Sequence, residues 1–440
     1  MLQPAIDDMI RNRRSGLLGI SEDRSVQAKN TPSTSRQRAE SVKTPANLQE
    51  LDLILASAEK SCAIIFFTSE TCPPCKVLYP LYDELAAESA HKCAFIKVDI
   101  GKAQVIGMRH SIRATPTFVT FLEGKEERRW SGADPSALRG NVKMLVEMAW
   151  PAHPHETLRL PNLRDATGKP VIYRRVPPLD KLLAKIGEPA RLPAVQGVKH
   201  FIAASQADGA AESTLPDLDA FGHFLRDAMS TVPMENMFAV LDLLRVAMAD
   251  PRFSGYYAEE NDHRTIVALL DHVNKLEGCP YALRLVAVQT ACNLFSSPLY
   301  VDHILGCERL RTPIVQLITG SLLDEKHHSV RVAAASLVLN IASANAMIRV
   351  EEHRGALPEG DQIELAASLL EAIGLEEESP EALKGFLLAF GQLVYCAPKD
   401  GELVDLLMSM DAQGTVLSKK EAFPKEALIS EVGKELLGSL

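Results

Sequence analysis

At 440 residues with 46% apolar composition, the chain is long enough for about two to four domains with real cores. Its formal net charge of −10 disfavours non-specific nucleic-acid binding by the whole chain. The N-terminus carries no apolar signal core, and no run of about 18 apolar residues offers a bilayer span; the expectation is a soluble protein of the cytoplasm, with the nucleus also open to it.

The first 46 residues divide in two. "MLQPAIDDMIRNRR" is weakly amphipathic, while the Ser/Thr/Arg-rich stretch after it has too little apolar content to offset the entropy of ordering, so 1–46 reads as a disordered arm. From Asn47 to Trp150 strands and helices alternate. "NLQELDLILASAEK" reads as a helix, "CAIIFFTS" as a buried strand, and "CKVLYPLYDELAAESA" as a helix kinked at Pro80. "CAFIKVDI" is a second buried strand. "TFVTFLEG" and "KEERRWSG" make a hairpin, and "DPSALRGNVKMLVEMA" is a helix capped by Asp134. That order defines an α/β domain over 47–150. Residues 151–175 are Pro-rich and aperiodic and read as a linker ending in an extended arm, with His153 and His155 solvated. From 176 to 440 every strong pattern is helical. "SVRVAAASLVLNIA" and others are apolar nearly all round, which points to an all-α armadillo-like solenoid.

Eight cysteines are scattered singly through apolar segments except for Cys72 and Cys75, the usage of a reducing compartment. "TCPPCK" opens a helix after a strand. There the first sulfur meets the unpaired N–H groups and dipole of the helix start, and the second lies one turn on, placed to resolve a mixed disulfide. A metal half-site would need a second C-x-x-C or a His pair at suitable spacing, and none is nearby. A binding module with a little-used dithiol is the remaining alternative. No motif calls for a metal or other cofactor.

With "AIIFF", "TCPPCK", "FIKVDI" and "IRATPTFVTFLEG", the segment 47–150 resembles a thioredoxin domain. The resemblance implies Cys72 as nucleophile, Cys75 as resolving thiol, and a cis Pro116 that faces the sulfurs with Thr115 beside them and Thr71 at the substrate-facing turn. It places Lys97 near the buried dithiol. Two positions depart from the pattern: Thr71 replaces the usual tryptophan, and Phe66 replaces the buried acid that assists proton transfer, which predicts slow reduction.

In the helical half, Arg245, Arg284, Arg331 and Lys384 interrupt apolar helices, and a cation there has to reach a groove, a partner or a nearby acid. Such cations on a concave solenoid face suit an acidic peptide. "VPPLDKLLAKIGE", "YALRLVAVQTACNLF", "SVRVAAASLVLNIA" and "LLAFGQLVY" resemble the PUL domain of ubiquitin-pathway adaptors. That resemblance implies binding of the acidic C-terminal tail of the hexameric AAA ATPase segregase (valosin-containing protein), although two family groove arginines fall on Gln289 and Gly385. Thioredoxin followed by PUL is an order seen in fungal proteins behind a PPPDE peptidase, which is not found in this sequence. The expected function is therefore an adaptor of the ubiquitin–proteasome pathway with a potentially redox-active dithiol. The alternatives are a thiol–disulfide oxidoreductase, acting on protein disulfides and targeted by a helical scaffold, and a solenoid for an unrelated partner.

Overall fold

The computed structural model describes residues 42–89, 92–166, 168–207, 213–352 and 355–440. Most of the expected N-terminal arm lies outside these residues, but its end does not. Val42–Lys43 forms strand β1 and pairs in parallel with Phe95 and Ile96.

The α/β domain follows as α1 (Leu48–Ser57), β2 (Cys62–Thr68), α2 (Pro73–Glu88), β3 (Cys93–Asp99), α3 (Gln104–Arg109), β4 (Thr117–Leu122), β5 (Lys125–Ser131) and α4 (Pro135–Ala149). Its sheet order is β1-β3-β2-β4-β5, parallel across β1, β3 and β2 and antiparallel from β2 through β4 to β5. Strand β2 is central and buried at every position, as its unbroken apolar run requires. Asn47 caps α1 by accepting from the Glu50 N–H at 3.0 Å, and Asp134 caps α4 by accepting from Ser136 and Ala137. Helix α2 runs through Pro80. One core lies on each face of the sheet, with Phe66, Tyr82, Phe95 and Phe118 on one side and Ile65, Phe67, Ile96 and Val119 on the other.

Beyond residue 178 the described elements are helical, and two rows of helices stack along the chain. One row contains Met237–Ala247, Tyr281–Leu294, His328–Glu352 and Pro380–Val394, each packed on the next; the other contains Arg264–Asn274, Glu308–Leu322 and Glu359–Leu375. The first row starts at residues 237, 281, 328 and 380, intervals of 44 to 52 residues, a spacing suited to three-helix repeats. Helix His328–Glu352 is long and apolar enough to cross a membrane by composition. Here it is packed between its two neighbours in the row, and its apolar surface is spent on that core.

The Pro-rich segment behaves differently from the expected linker: the helical domain binds it along its length. Trp150 still belongs to the α/β domain, its Nε1 donating to the Lys92 carbonyl at 2.7 Å. Three residues on, His153 Nε2 lies 3.0 Å from the Ala397 carbonyl oxygen. His155 is fully buried and accepts from the Cys396 N–H at 3.0 Å through Nδ1. Glu431 then caps the short helix Pro161–Asp165, accepting from the N–H groups of Asn162 and Leu163. Leu160 and Leu163 join the core of the solenoid. Only Pro151 and Ala152 separate the last anchor of one domain from the first anchor of the other.

Burial pushes the His155 pKa down to about 4. Because the unfolded imidazole titrates near 6.5, the folded protein binds fewer protons between those values, so stability rises with pH across that window. Thermal melts are expected to show a helical-domain midpoint that falls steadily from pH 7 to pH 5. His155→Phe, which cannot titrate, should flatten that part of the profile.

Candidate functional site: a dithiol turn and an occupied solenoid groove

The chemistry of the α/β domain sits where β2 ends. Cys72 is the N-cap of α2, and Pro73 and Pro74 supply the first helical turn, where missing N–H groups cost nothing. The two sulfurs are joined as a disulfide, and Cys72 Sγ accepts from the Cys75 N–H at 3.3 Å. Across from it, Cys72 Sγ lies 3.6 Å from the Thr115 carbonyl oxygen, and the Thr115–Pro116 bond is cis. Cys75 is fully buried, Cys72 is 7% exposed, and Thr71 is exposed with its hydroxyl on Ser69. An attacking thiolate can approach Cys72 while Cys75 stays shielded, the asymmetry that directs exchange to one sulfur.

Phe66 fills the place of the expected acid. Its ring stacks on Phe118 at 4.6 Å and meets Tyr82 and Tyr79 at 5.2 and 5.8 Å; Phe118 in turn stacks on Trp130. An aromatic column therefore backs the dithiol where a proton acceptor would take the proton of the second thiol and let it attack the mixed disulfide. Lys97 reaches Asp83 at 3.0 Å and lies over the Tyr79 ring, which itself meets Phe66.

In the solenoid the extended stretch Val171–Arg175 lies across the stacked helices. Asn340 accepts from the Val171 N–H at 2.7 Å and donates to the Val171 carbonyl at 3.1 Å. Asn293 does the same for Tyr173, at 2.7 and 3.0 Å, and also donates to the Arg245 carbonyl at the end of its helix. Two asparagines on adjacent helices thus read the backbone of alternate residues, as a sheet neighbour would.

Arg245 completes this clamp. It is 5% exposed, pairs with Asp242 at 2.6 Å and donates to the carbonyls of Tyr173 and Arg175. Arg331 is likewise committed, to Glu376 at 3.0 Å and to the Asp324 carbonyl. These two cations, expected to face a partner, instead satisfy buried acids and carbonyls inside the domain. Arg284 is half-buried, donating to the Gly320 carbonyl at 3.3 Å and lying beside the Cys279 thiol, and Lys384 is exposed. Arg284, Arg331 and Lys384 stand three or four residues into three successive stacked helices, so they share one rim. At Gly385 a Cβ would come within 3.0 Å of Ala335, too close for an arginine without a shift of the helices.

The sheet order, the Cys-Pro-Pro-Cys turn and the cis proline define a thioredoxin-fold domain, carried on an armadillo-like helical scaffold. The profile of the PUL domain matches residues 167–435 and that of thioredoxin matches 43–144; the chain belongs to the PUL-domain family, with a thioredoxin domain ahead of its PUL domain. PUL domains are protein-interaction modules. A putative thioredoxin-5 of Dictyostelium discoideum is 31% identical over 105 residues, 24% of this chain and 98% of that protein. The TPR repeat-containing thioredoxin TDX of Arabidopsis thaliana is 35% identical over 95 residues, 21% of this chain and 25% of its own. Among solved structures, a thioredoxin of Fasciola hepatica is 28% identical, covering 23% of this chain and 98% of its own with a TM-score of 0.23.

Proposed function

We propose that the protein is an adaptor of ubiquitin-dependent turnover whose PUL domain holds the acidic C-terminal tail of the AAA ATPase segregase. One observation carries the reading most: with the groove floor filled by the chain's own backbone, Arg284 and Lys384 remain on an accessible rim. An acidic tail pairs with cations placed this way, and the nearby helix N-termini favour the same charge. The sites of action are the cytoplasm and nucleus. Reversing both charges (Arg284→Glu with Lys384→Glu) is expected to weaken a fluorescein-labelled tail peptide at least ~10-fold by anisotropy, since each exposed pair lost costs up to ~1 kcal/mol and each new carboxylate repels the acidic tail. Unchanged affinity would move the contact elsewhere.

The paired cysteines support a second reading, a thiol–disulfide oxidoreductase. In an insulin-reduction assay coupled to thioredoxin reductase, the wild type is expected to turn over slowly and Cys72→Ser not at all. Equal, near-zero rates would leave the thioredoxin domain as a binding module.

A further inference from the structure

Two cysteines outside the dithiol turn stand side by side at the other end of the sheet. Cys62 opens β2 and Cys93 opens β3, and they are register partners across that parallel pair. Both side chains enter the same core face. Adjacent strands lie about 4.7–4.9 Å apart, within the ~4.4–6.8 Å span of Cα atoms that a disulfide bridges. Six residues of strand at roughly 3.3 Å each separate Cys62 from the far end of β2 at Thr68, so this pair is on the order of 20 Å from Cys72. It cannot resolve a mixed disulfide there.

We propose that Cys62 and Cys93 are a second redox pair, which closes to a disulfide when a small hydroperoxide reaches the N-terminal edge of the sheet. Cys93, 6% exposed against 0% for Cys62, is the entry point. Its thiolate attacks one peroxide oxygen and the O–O bond breaks; the sulfur becomes a sulfenic acid and the departing hydroxide leaves as water. Cys62 then attacks the Cys93 sulfur. The S–S bond forms, the S–O bond breaks, and the second hydroxide takes the Cys62 proton as a second water. The pair loses two electrons and the peroxide gains them. The adjoining Cys62 sulfur, together with burial, holds the Cys93 thiol well above its ordinary pKa, so the first step is slow. The pair therefore responds to sustained oxidant rather than to the pulses that close Cys72–Cys75.

The ends of β2 and β3 are also where the domain meets its neighbour's tether. The Lys92 carbonyl, one residue before Cys93, accepts from both Cys62 Sγ at 3.4 Å and Trp150 Nε1 at 2.7 Å. Closing the disulfide removes the Cys62 thiol hydrogen that makes the first of these bonds.

The test uses the full chain carrying Cys72→Ser and Cys75→Ser, so that the tryptic peptide 61–76 holds Cys62 as its one cysteine. After hydrogen peroxide, alkylation and non-reducing digestion, peptide 61–76 is expected joined to 93–97, two hydrogens lighter than their sum, and released by dithiothreitol. The linked form should account for more than half of the Cys93 signal, and accumulate at least ~10-fold more slowly than the Cys72–Cys75 disulfide of wild type. Cys62→Ala should divert Cys93 to sulfinic acid. The proposal is overturned if both cysteines stay alkylatable after a sustained peroxide exposure about 100-fold longer than the one that fully oxidises wild-type Cys72–Cys75. Separate over-oxidation of each, with no linked peptide, overturns it equally; both readouts come from a chain that keeps Cys62 and Cys93, whatever the fate of the alanine variant.

Discussion

Asn293→Ala is expected to destabilise the helical domain by about 2–4 kcal/mol, although it removes a small polar side chain and opens little space. The alanine leaves the Tyr173 N–H without its acceptor and takes a donor from the Arg245 carbonyl. A buried backbone group left unmade costs roughly 1–3 kcal/mol, and two lose their Asn293 partner here while the Tyr173 carbonyl keeps Arg245. Asn293 is itself fully buried, so solvent is poorly placed to replace it. The loss should appear as a lower urea midpoint of the helical transition, followed by far-ultraviolet circular dichroism on the full chain. Amide exchange at Val171–Arg175 should rise with it, because the same side chain holds that stretch in place. A variant with the wild-type midpoint and protected arm amides would show that the extended segment is not anchored through Asn293.

The second large effect belongs to Phe66. Phe66→Ala removes the ring at the centre of the Phe118, Tyr79 and Tyr82 cluster, and a buried Phe→Ala change costs about 3–5 kcal/mol. Phe66→Asp puts an acid at the place where thioredoxins keep one, yet it is not expected to restore a fast reductase. The carboxyl group would sit among aromatic rings, with the lost packing added to the cost of desolvating it. A domain is stable by only about 5–15 kcal/mol, so this variant should lose the near-ultraviolet signal of Trp130 at moderate urea. A folded, faster Phe66→Asp enzyme would show instead that the missing acid alone limits turnover.

Much of this architecture was legible because it lies in local pattern. Strand β2 announced itself as six apolar residues in a row, Asn47 and Asp134 as cap residues before periodic runs, and the Pro116 turn by its likeness to known domains. The helical half was legible from helices apolar nearly all round, since only stacking can bury such surfaces. What escaped was long-range and made by backbone. The segment before residue 176 has no periodicity, and it is ordered by Asn293 and Asn340, 120 and 169 residues away in sequence. No local signal marks an asparagine as a backbone clamp. His153 and His155 looked like solvated residues of a proline-rich tether for the same reason, their partners being the backbone around Cys396 and Ala397. Charge misled in a different way. Arg245 and Arg331 were rightly out of place on apolar helices, but the groups they serve are acids and carbonyls of their own chain. Spacing can show that a cation needs a partner; it cannot show whether that partner is internal.

The central claim is that the PUL domain of this chain holds an acidic tail on its free rim while its own backbone fills the groove floor. The most direct test is a calorimetric titration of the full wild-type chain with the C-terminal tail peptide of the AAA ATPase segregase, at about 50 and 200 mM salt. The account predicts saturable one-to-one binding at the lower salt that weakens clearly at the higher, because the contact is electrostatic and screened over roughly 10 Å at 0.1 M. No heat of binding at 50 mM salt would contradict it.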